Sequence, residues 1–139
     1  AFNRAIEKAN DTIVFITDAD MSLPSNLVYL CNKYVSCKTA WFPVCFKLSE
    51  PGGIPEGEWF PAGTGNFASL KEDFVKIGKY NTTIKKWGGE DWELWFRFFK
   101  NGILPFRTKI KGLTHNWHPS LRTDDFKPIE FREMANKLK

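Results

Sequence analysis

The residues best suited to chemistry fall in three short stretches: Asp18-Ala-Asp20, Glu90-Asp91 and His115-Asn-Trp-His118. Asp18 and Asp20 close the apolar run Ile13-Val-Phe-Ile-Thr17. In extended backbone, side chains i and i+2 point the same way, so the two carboxylates project together from the end of a core strand. Like charges held that close are costly unless a cation sits between them, and a hard divalent cation suits oxygen ligands. Acidic residues after a strand are also ordinary turn formers, and on this stretch alone the two readings stand side by side. The chain has 2 His, three residues apart. Such a pair can complete a metal site with a carboxylate, although a His taken singly is more often unliganded. Asp91 falls in the first turn of an expected helix, where the helix dipole favours any anion. Capping does not explain Trp87-Gly88-Gly89 directly in front, which reads as a flexible, ligand-facing approach to the two acids.

The elements that must position these residues alternate. Residues 1–10 read as a helix, with Phe2, Ala5, Ile6 and Ala9 in one apolar stripe. The run 13–17 is short and rich in β-branched residues and Phe, which predicts a buried strand. A helix feeding a buried strand is the order of an α/β sheet, where ligands sit beyond the carboxyl ends of the strands. Pro24 suits the first turn of a second helix, with Leu27, Leu30, Cys31 and Tyr34 facing the core. Residues 39–47 predict a strand, and Pro43 favours the edge of the sheet. Residues 50–58 form a turn-rich loop, either a functional lid or a solvated hairpin connection. Gly63 and Gly65 permit close approach of a ligand to backbone, but no GxGxxG or Walker pattern accompanies them. A short helix over 71–78 ends at Gly78, and a longer one runs from Glu90-Asp91 to a stop at Gly102. Leu94, Trp95, Phe98 and Phe99 form its core stripe, and Asp91 shares that inward face. A strand leads to His115, and residues 120–139 are polar with an amphipathic helix from Pro128. Asn81-Thr-Thr83 fits an N-glycosylation sequon, relevant only in a secretory protein.

Composition bounds the function. With 139 residues the chain can bury one small core, and 42% hydrophobic with 26% charged residues is ordinary for a globular protein. Aromatics reach 16%, with 6 Trp and 13 Phe, more than a core this size needs. Some rings are therefore candidates for a binding surface, since aromatic faces pack on sugars or bases. A net charge of +4 from 20 basic and 16 acidic residues is too mild and dispersed for nucleic acid, but suits an anionic nucleotide diphosphate. No apolar run is long enough to span a membrane. The chain starts at Ala1 rather than Met, which reads as a piece of a longer protein. Of the 3 Cys, Cys31 and Cys37 are expected as buried thiols of one helix, with a disulfide to Cys45 left open.

Asp-x-Asp at a strand end, Trp-Gly-Gly-Glu-Asp about seventy residues later and His-x-x-His, in this order, resemble the GT-A glycosyltransferases. The likeness is to the β1,4-galactosyltransferase and chondroitin N-acetylgalactosaminyltransferase group. It implies an α/β GT-A fold, a Rossmann-like mixed sheet flanked by helices, lacking the N-terminal nucleotide-binding half. Residues 1–119 would be the catalytic core segment and 120–139 a C-terminal extension. The resemblance also implies a metal-dependent inverting enzyme moving a hexose or N-acetylhexosamine, of the galactose or N-acetylgalactosamine class. The donor would be a UDP-sugar and the acceptor a glycan hydroxyl. Asp18, Asp20, Gly65, Asn66 and Trp87 would bind the donor. Asp20, His118 and His115 would hold Mn²⁺, with Mg²⁺ as the alternative. Asp91 would be the catalytic base, with Glu90, Trp87 and Gly89 on the acceptor side. Such an enzyme would work in the Golgi lumen of a eukaryote, or in the cytoplasm or at the inner membrane of a bacterium.

Other readings compete. A transferase-like subunit could bind sugar or a partner without turnover, but has no chemical need for a base and metal ligands together. Retaining polypeptide N-acetylgalactosaminyltransferases usually have Asn at the position of Asp91. Haloacid-dehalogenase-like phosphohydrolases also place Asp-x-Asp after a strand, but continue with Thr or Val where this chain has Ser22 and have no place for Trp-Gly-Gly-Glu-Asp.

Overall fold

A computed structural model describes residues 2–84 and 89–119. Two mixed four-stranded sheets form the frame. The chain opens with helix α1 (Phe2–Lys8), strand β1 (Ile13–Ile16), a turn and the two-residue β2 (Met21–Ser22). Helix α2 (Leu27–Tyr34), β3 (Thr39–Trp41), β4 (Val44–Leu48) and β5 (Gly57–Trp59) follow. Then come β6 (Phe67–Leu70), α3 (Lys71–Lys76), α4 (Glu90–Lys100), β7 (Leu104–Phe106) and β8 (Lys109–His115).

The first sheet has the order β1-β6-β3-β7, with β3 and β7 parallel and the other pairs antiparallel. Both its faces are covered. Val14, Ile16, Phe42 and Phe67 pack with Ile6 of α1, Phe74 of α3, and Leu94 and Phe98 of α4. Trp41 and Ala68 pack with Leu30 and Cys31 of α2, while Ile13 and Phe15 of β1 lean on the same cluster. A strand buried from both sides explains why β1 is apolar at every position instead of alternating. Part of the Phe excess is spent here: Phe42, Phe67, Phe74 and Phe98 are fully buried.

The second sheet has the order β2-β8-β4-β5 and carries the polar end of the molecule. Two of the crossings from the first sheet to the second, β3 to β4 and β7 to β8, run side by side. Phe42 N donates to Phe106 O at 2.9 Å and Val44 N to Thr108 O at 2.8 Å. Pro43, between those two donors, has no N–H to give and is not asked for one. This corrects the expected edge strand: β3 and β4 are both interior, and Pro43 occupies the crossing where the ladder needs no donor.

Other expectations also shift. Helix α2 starts at Leu27, and Pro24 belongs to the preceding turn, its carbonyl accepting from Leu27 N at 3.0 Å. Cys37 lies beyond that helix and is exposed, whereas Cys31 and Cys45 are buried, and all three are free thiols. Phe99 points to solvent at 65% exposure, because the stripe of α4 is narrower than four residues and closes on Leu94 and Phe98. Gly78, with φ of 92°, ends α3 as expected. Helix α4 is tied to that end by Arg97, which takes Glu93 bidentately at 2.6 and 2.7 Å and gives a third bond to Ile77 O at 2.7 Å. No helix among the described residues is long and apolar enough to cross a membrane. Trp87, Gly88 and the 120–139 extension with its expected helix lie outside the described residues.

Candidate active site

The turn between β1 and β2 carries Asp20 to the end of β8. Antiparallel pairing sets Met21 opposite His115 and Ser22 opposite Thr114. Asn116 completes the junction: its backbone N–H and its side-chain Nδ2 both donate to Asp20 O at 2.9 Å. Asp20 Oδ2 then lies 3.3 Å from His115 Nε2 and 3.0 Å from His118 Nε2. The three side chains offer ligand atoms all within 4.8 Å of one another.

Two details bear on whether these groups suit a cation. His118 Nδ1 lies 3.0 Å from Pro119 O, and a carbonyl can only accept, so the ring proton is assigned to Nδ1. In the neutral ring Nε2 is then a bare lone pair facing a carboxylate oxygen. Two acceptors at that distance repel unless a positive charge, a proton or a metal ion, lies between them. In addition, Asp20 Oδ1 and His115 Nδ1 are buried and have no hydrogen-bond partner among the described residues. One carboxylate and two imidazoles make a mixed oxygen and nitrogen set that fits a divalent ion.

Asp18 sits between this cluster and the start of α4. Its carboxyl is pushed up by burial and then by the Asp20 charge, against a smaller pull from His115. On its other side is Asp91. A Cβ built on Gly65 would lie 3.2 Å from Asp18 Oδ2 and 3.5 Å from Asp91 Oδ2, so the two carboxyls flank the bare backbone of Gly65. Burial, then Glu90 and Asp18, push Asp91 up to about 7. The Tyr80 hydroxyl donates to Asp91 Oδ1 at 3.4 Å and works in the opposite direction. Tyr80 is itself fixed by Asn3 of α1, whose side chain bonds both Tyr80 N and Tyr80 O at 3.0 Å. A carboxyl that titrates near neutrality and is held by a tyrosine can exchange a proton with a substrate hydroxyl.

The remaining expected residues divide. Gly89 is buried, and its N–H donates to Glu90 Oε2 at 2.9 Å, so both stand at the mouth of α4 beside Asp91. Asn66 is 7% exposed and points inward: Thr17 Oγ1 donates to its Oδ1 at 2.6 Å, while its Nδ2 meets Met21 Sδ at 4.0 Å. Thr17 and Met21 bracket the aspartate turn, so Asn66 braces the turn from below. Trp87 lies outside the described residues.

Residues absent from the sequence reading also shape the site. Across the second sheet, Met21 pairs with His115, His115 with Lys47 and Lys47 with Glu58. Cross-strand partners share a face, so Lys47 is a cation on the same face as His115. Its Nζ lies 5.4 Å from the Phe60 ring centroid, and Phe60 covers Gly63 so tightly that a Cβ there would meet the ring at 2.8 Å. Arg107 donates to the carbonyls of Pro61 and Gly63, and to Phe42 O at 3.4 Å, pinning the segment that leads to Gly65. Only the alternation of β4 hinted at Lys47, and nothing local pointed to Arg107.

The chain is similar to known proteins in sequence and in fold. Residues 55–119 match the family described as the N-terminal domain of galactosyltransferase. Chondroitin sulfate N-acetylgalactosaminyltransferase 1 of Mus musculus is 27% identical over 144 residues, 90% of this chain and 27% of the relative. N-acetyl-beta-glucosaminyl-glycoprotein 4-beta-N-acetylgalactosaminyltransferase 1 of Mus musculus is 35% identical over 113 residues, 77% of this chain and 11% of the relative. The catalytic domain of Drosophila beta1,4galactosyltransferase 7, solved with xylobiose, superposes with a TM-score of 0.63 at 21% identity, covering 97% of this chain and 58% of that one. The expected resemblance to the galactosyltransferase and N-acetylgalactosaminyltransferase group therefore holds in sequence. The mixed α/β fold is that of part of a galactosyltransferase catalytic domain. The chain spans 27% of the first of these relatives' length, and only part of each of the others.

Proposed function

We propose that this chain carries the metal, phosphate and acceptor side of an inverting glycosyltransferase. That enzyme moves galactose or N-acetylgalactosamine from a UDP-sugar to a hydroxyl of a glycan. The observation that carries the reading is Asp91, a carboxyl raised to about 7 at a helix mouth and separated from Asp18 by one bare glycine. A sugar hydroxyl is a poor nucleophile near neutral pH, and an oriented base must take its proton as the new bond forms. Asp91 Oδ2 takes that proton, while Oδ1 stays on the Tyr80 hydroxyl. Glu90 and Gly89 border the acceptor, and no second carboxylate is assigned as a nucleophile, which favours single displacement with inversion.

Asp20, His115 and His118 would hold Mn²⁺, or Mg²⁺ in its place. When bound, such an ion neutralises negative charge on a departing nucleoside diphosphate. Asp18 and the Gly65 backbone face the donor, with Asn66 bracing the aspartate turn from below. Lys47, on the face of His115, adds a second positive charge for the diphosphate. The two relatives are by name N-acetylgalactosaminyltransferases, which supports that sugar class.

Calorimetry on the full-length protein with UDP-GalNAc, UDP-Gal and UDP-GlcNAc, each with and without Mn²⁺, tests the reading. Metal-dependent binding of one donor is expected, and absence of it for all three sinks the proposal. Asp91→Asn should abolish transfer while donor binding persists. Collapse of donor binding in that variant would make Asp91 structural.

A further inference from the structure

Beside the histidines lies a groove that the reaction itself does not use. It has a volume of about 630 Å³, within the range of small-ligand sites. One wall is the β4–β5 connection from Leu48 to Glu56 and the other is Asn116-Trp117. We infer that this groove is a second sugar subsite, taking a neutral hexose or N-acetylhexosamine unit of the acceptor chain away from the reacting hydroxyl. The inference rests on the proposed transferase reading and adds the acceptor's charge class to it.

Four observations carry it. The connection is a built turn: Ser49 N donates to Glu56 O at 2.9 Å and Gly53 N to Glu50 O at 2.8 Å. Trp117 is 38% exposed on the opposite wall, and an indole face suits the apolar face of a pyranose. Trp117 is fixed relative to the candidate metal cluster, because it lies between His115 and His118 and its neighbour Asn116 is bonded to Asp20 O. A glycan lying along Trp117 therefore runs toward the site. Among the described residues the charged lining is Glu50 and Glu56, with no Lys or Arg, in a chain where bases outnumber acids 20 to 16. Carboxylates accept hydrogen bonds from sugar hydroxyls and amides, and they repel a uronate or a sulfate ester.

The test is glycan binding to the full-length protein by saturation-transfer NMR titration, without donor or metal. The probes are N-acetyllactosamine, the neutral trisaccharide that extends it by one hexose, and a disaccharide of glucuronate and N-acetylgalactosamine. The neutral trisaccharide should bind saturably and more tightly than the uronate disaccharide. Trp117→Ala should weaken it by about 3- to 10-fold, the effect of losing one aromatic contact. The double variant Glu50→Lys/Glu56→Lys should reverse the preference toward the uronate. Three results overturn the inference: no saturable binding of neutral glycan, equal binding in both variants, or uronate preference in the unmodified protein. Donor calorimetry on the same preparation separates the two ideas. Glycan binding without any donor binding would sink the transferase reading and leave the subsite standing, and donor binding without glycan binding would do the reverse.

Discussion

The Tyr80 hydroxyl donates to Asp91 Oδ1 at 3.4 Å, from a ring packed against Phe67 and Phe74. The bond favours the ionised carboxylate, while burial and the neighbouring acids oppose it. Tyr80 therefore sets how readily Asp91 gives up its proton. Tyr80→Phe keeps the ring and removes the donor, which raises the Asp91 pKa further. The acid limb of the transfer rate should move to higher pH, with activity depressed near pH 6.5 and recovered near pH 8.5. A purely structural loss would lower the rate equally at both.

The pH dependence of stability follows from the same carboxyl. Burial and the neighbouring acids raise Asp91 from the ordinary aspartate value of 3.8 to about 7 in the folded chain. Between those values the folded chain keeps a proton that the unfolded chain has released. Stability therefore falls as pH rises through that window, and above it the full cost remains, on the order of a few kcal/mol. The catalytic expectation has the opposite sign, because the base must be ionised and transfer rises through pH 7. Asp91→Asn should be nearly inactive, yet melt at a higher temperature than the parent at pH 8. Thermal denaturation at pH 5 and pH 8 checks this, with the difference between variant and parent narrowing at pH 5.

What could be read from the sequence was what depends on local spacing. Asp18-Ala-Asp20, Glu90-Asp91 and His115/His118 are pairs of short separation, each tied to an element whose periodicity was plain. The structure brings Asp20, His115 and His118 into one cluster, with Asp18 next to Asp91. The misreadings share a different cause. Pro43 looked like an edge marker because the rule concerns one ladder, and this strand changes ladders at the proline. The resemblance implied a donor-facing Asn66, and no local pattern showed that its amide also meets Thr17 and Met21. Tyr80, Arg107 and Asn116 act through partners 11 to 96 positions away, and no local pattern carries that information.

Asn116 gives the clearest case of such an unseen support. It contributes no ligand atom, yet its amide and backbone hold Asp20 at the end of β8 and its side chain also meets Ser22 Oγ. Supporting groups of this kind commonly change metal affinity by about 10- to 100-fold. Asn116→Ala should weaken Mn²⁺ binding within that range in a calorimetric titration while the apo melting temperature moves little. His118→Ala should weaken it more, since a ligand is lost outright. An Asn116 variant with parental affinity would show that β2–β8 pairing alone positions Asp20.

Gly65→Ala probes the space between the two halves of the site. The new methyl would sit 3.2 Å from Asp18 Oδ2, which must shift by a few tenths of an ångström, and 3.5 Å from Asp91 Oδ2, an ordinary contact. The backbone of Gly65 needs no left-handed conformation, since it is not among the positive-φ glycines. Alanine can therefore adopt the fold, and the effect should fall on function. A small displacement of reacting groups can cost roughly a hundredfold in rate. Gly65→Ala is expected to lose about that factor in kcat/KM for transfer, with a melting temperature close to the parent's. Its acid limb should also change, because a methyl between the two carboxyls alters the repulsion that helps hold Asp91 near 7. Parental kinetics in a fully folded Gly65→Ala variant would mean that neither donor nor acceptor passes over this glycine.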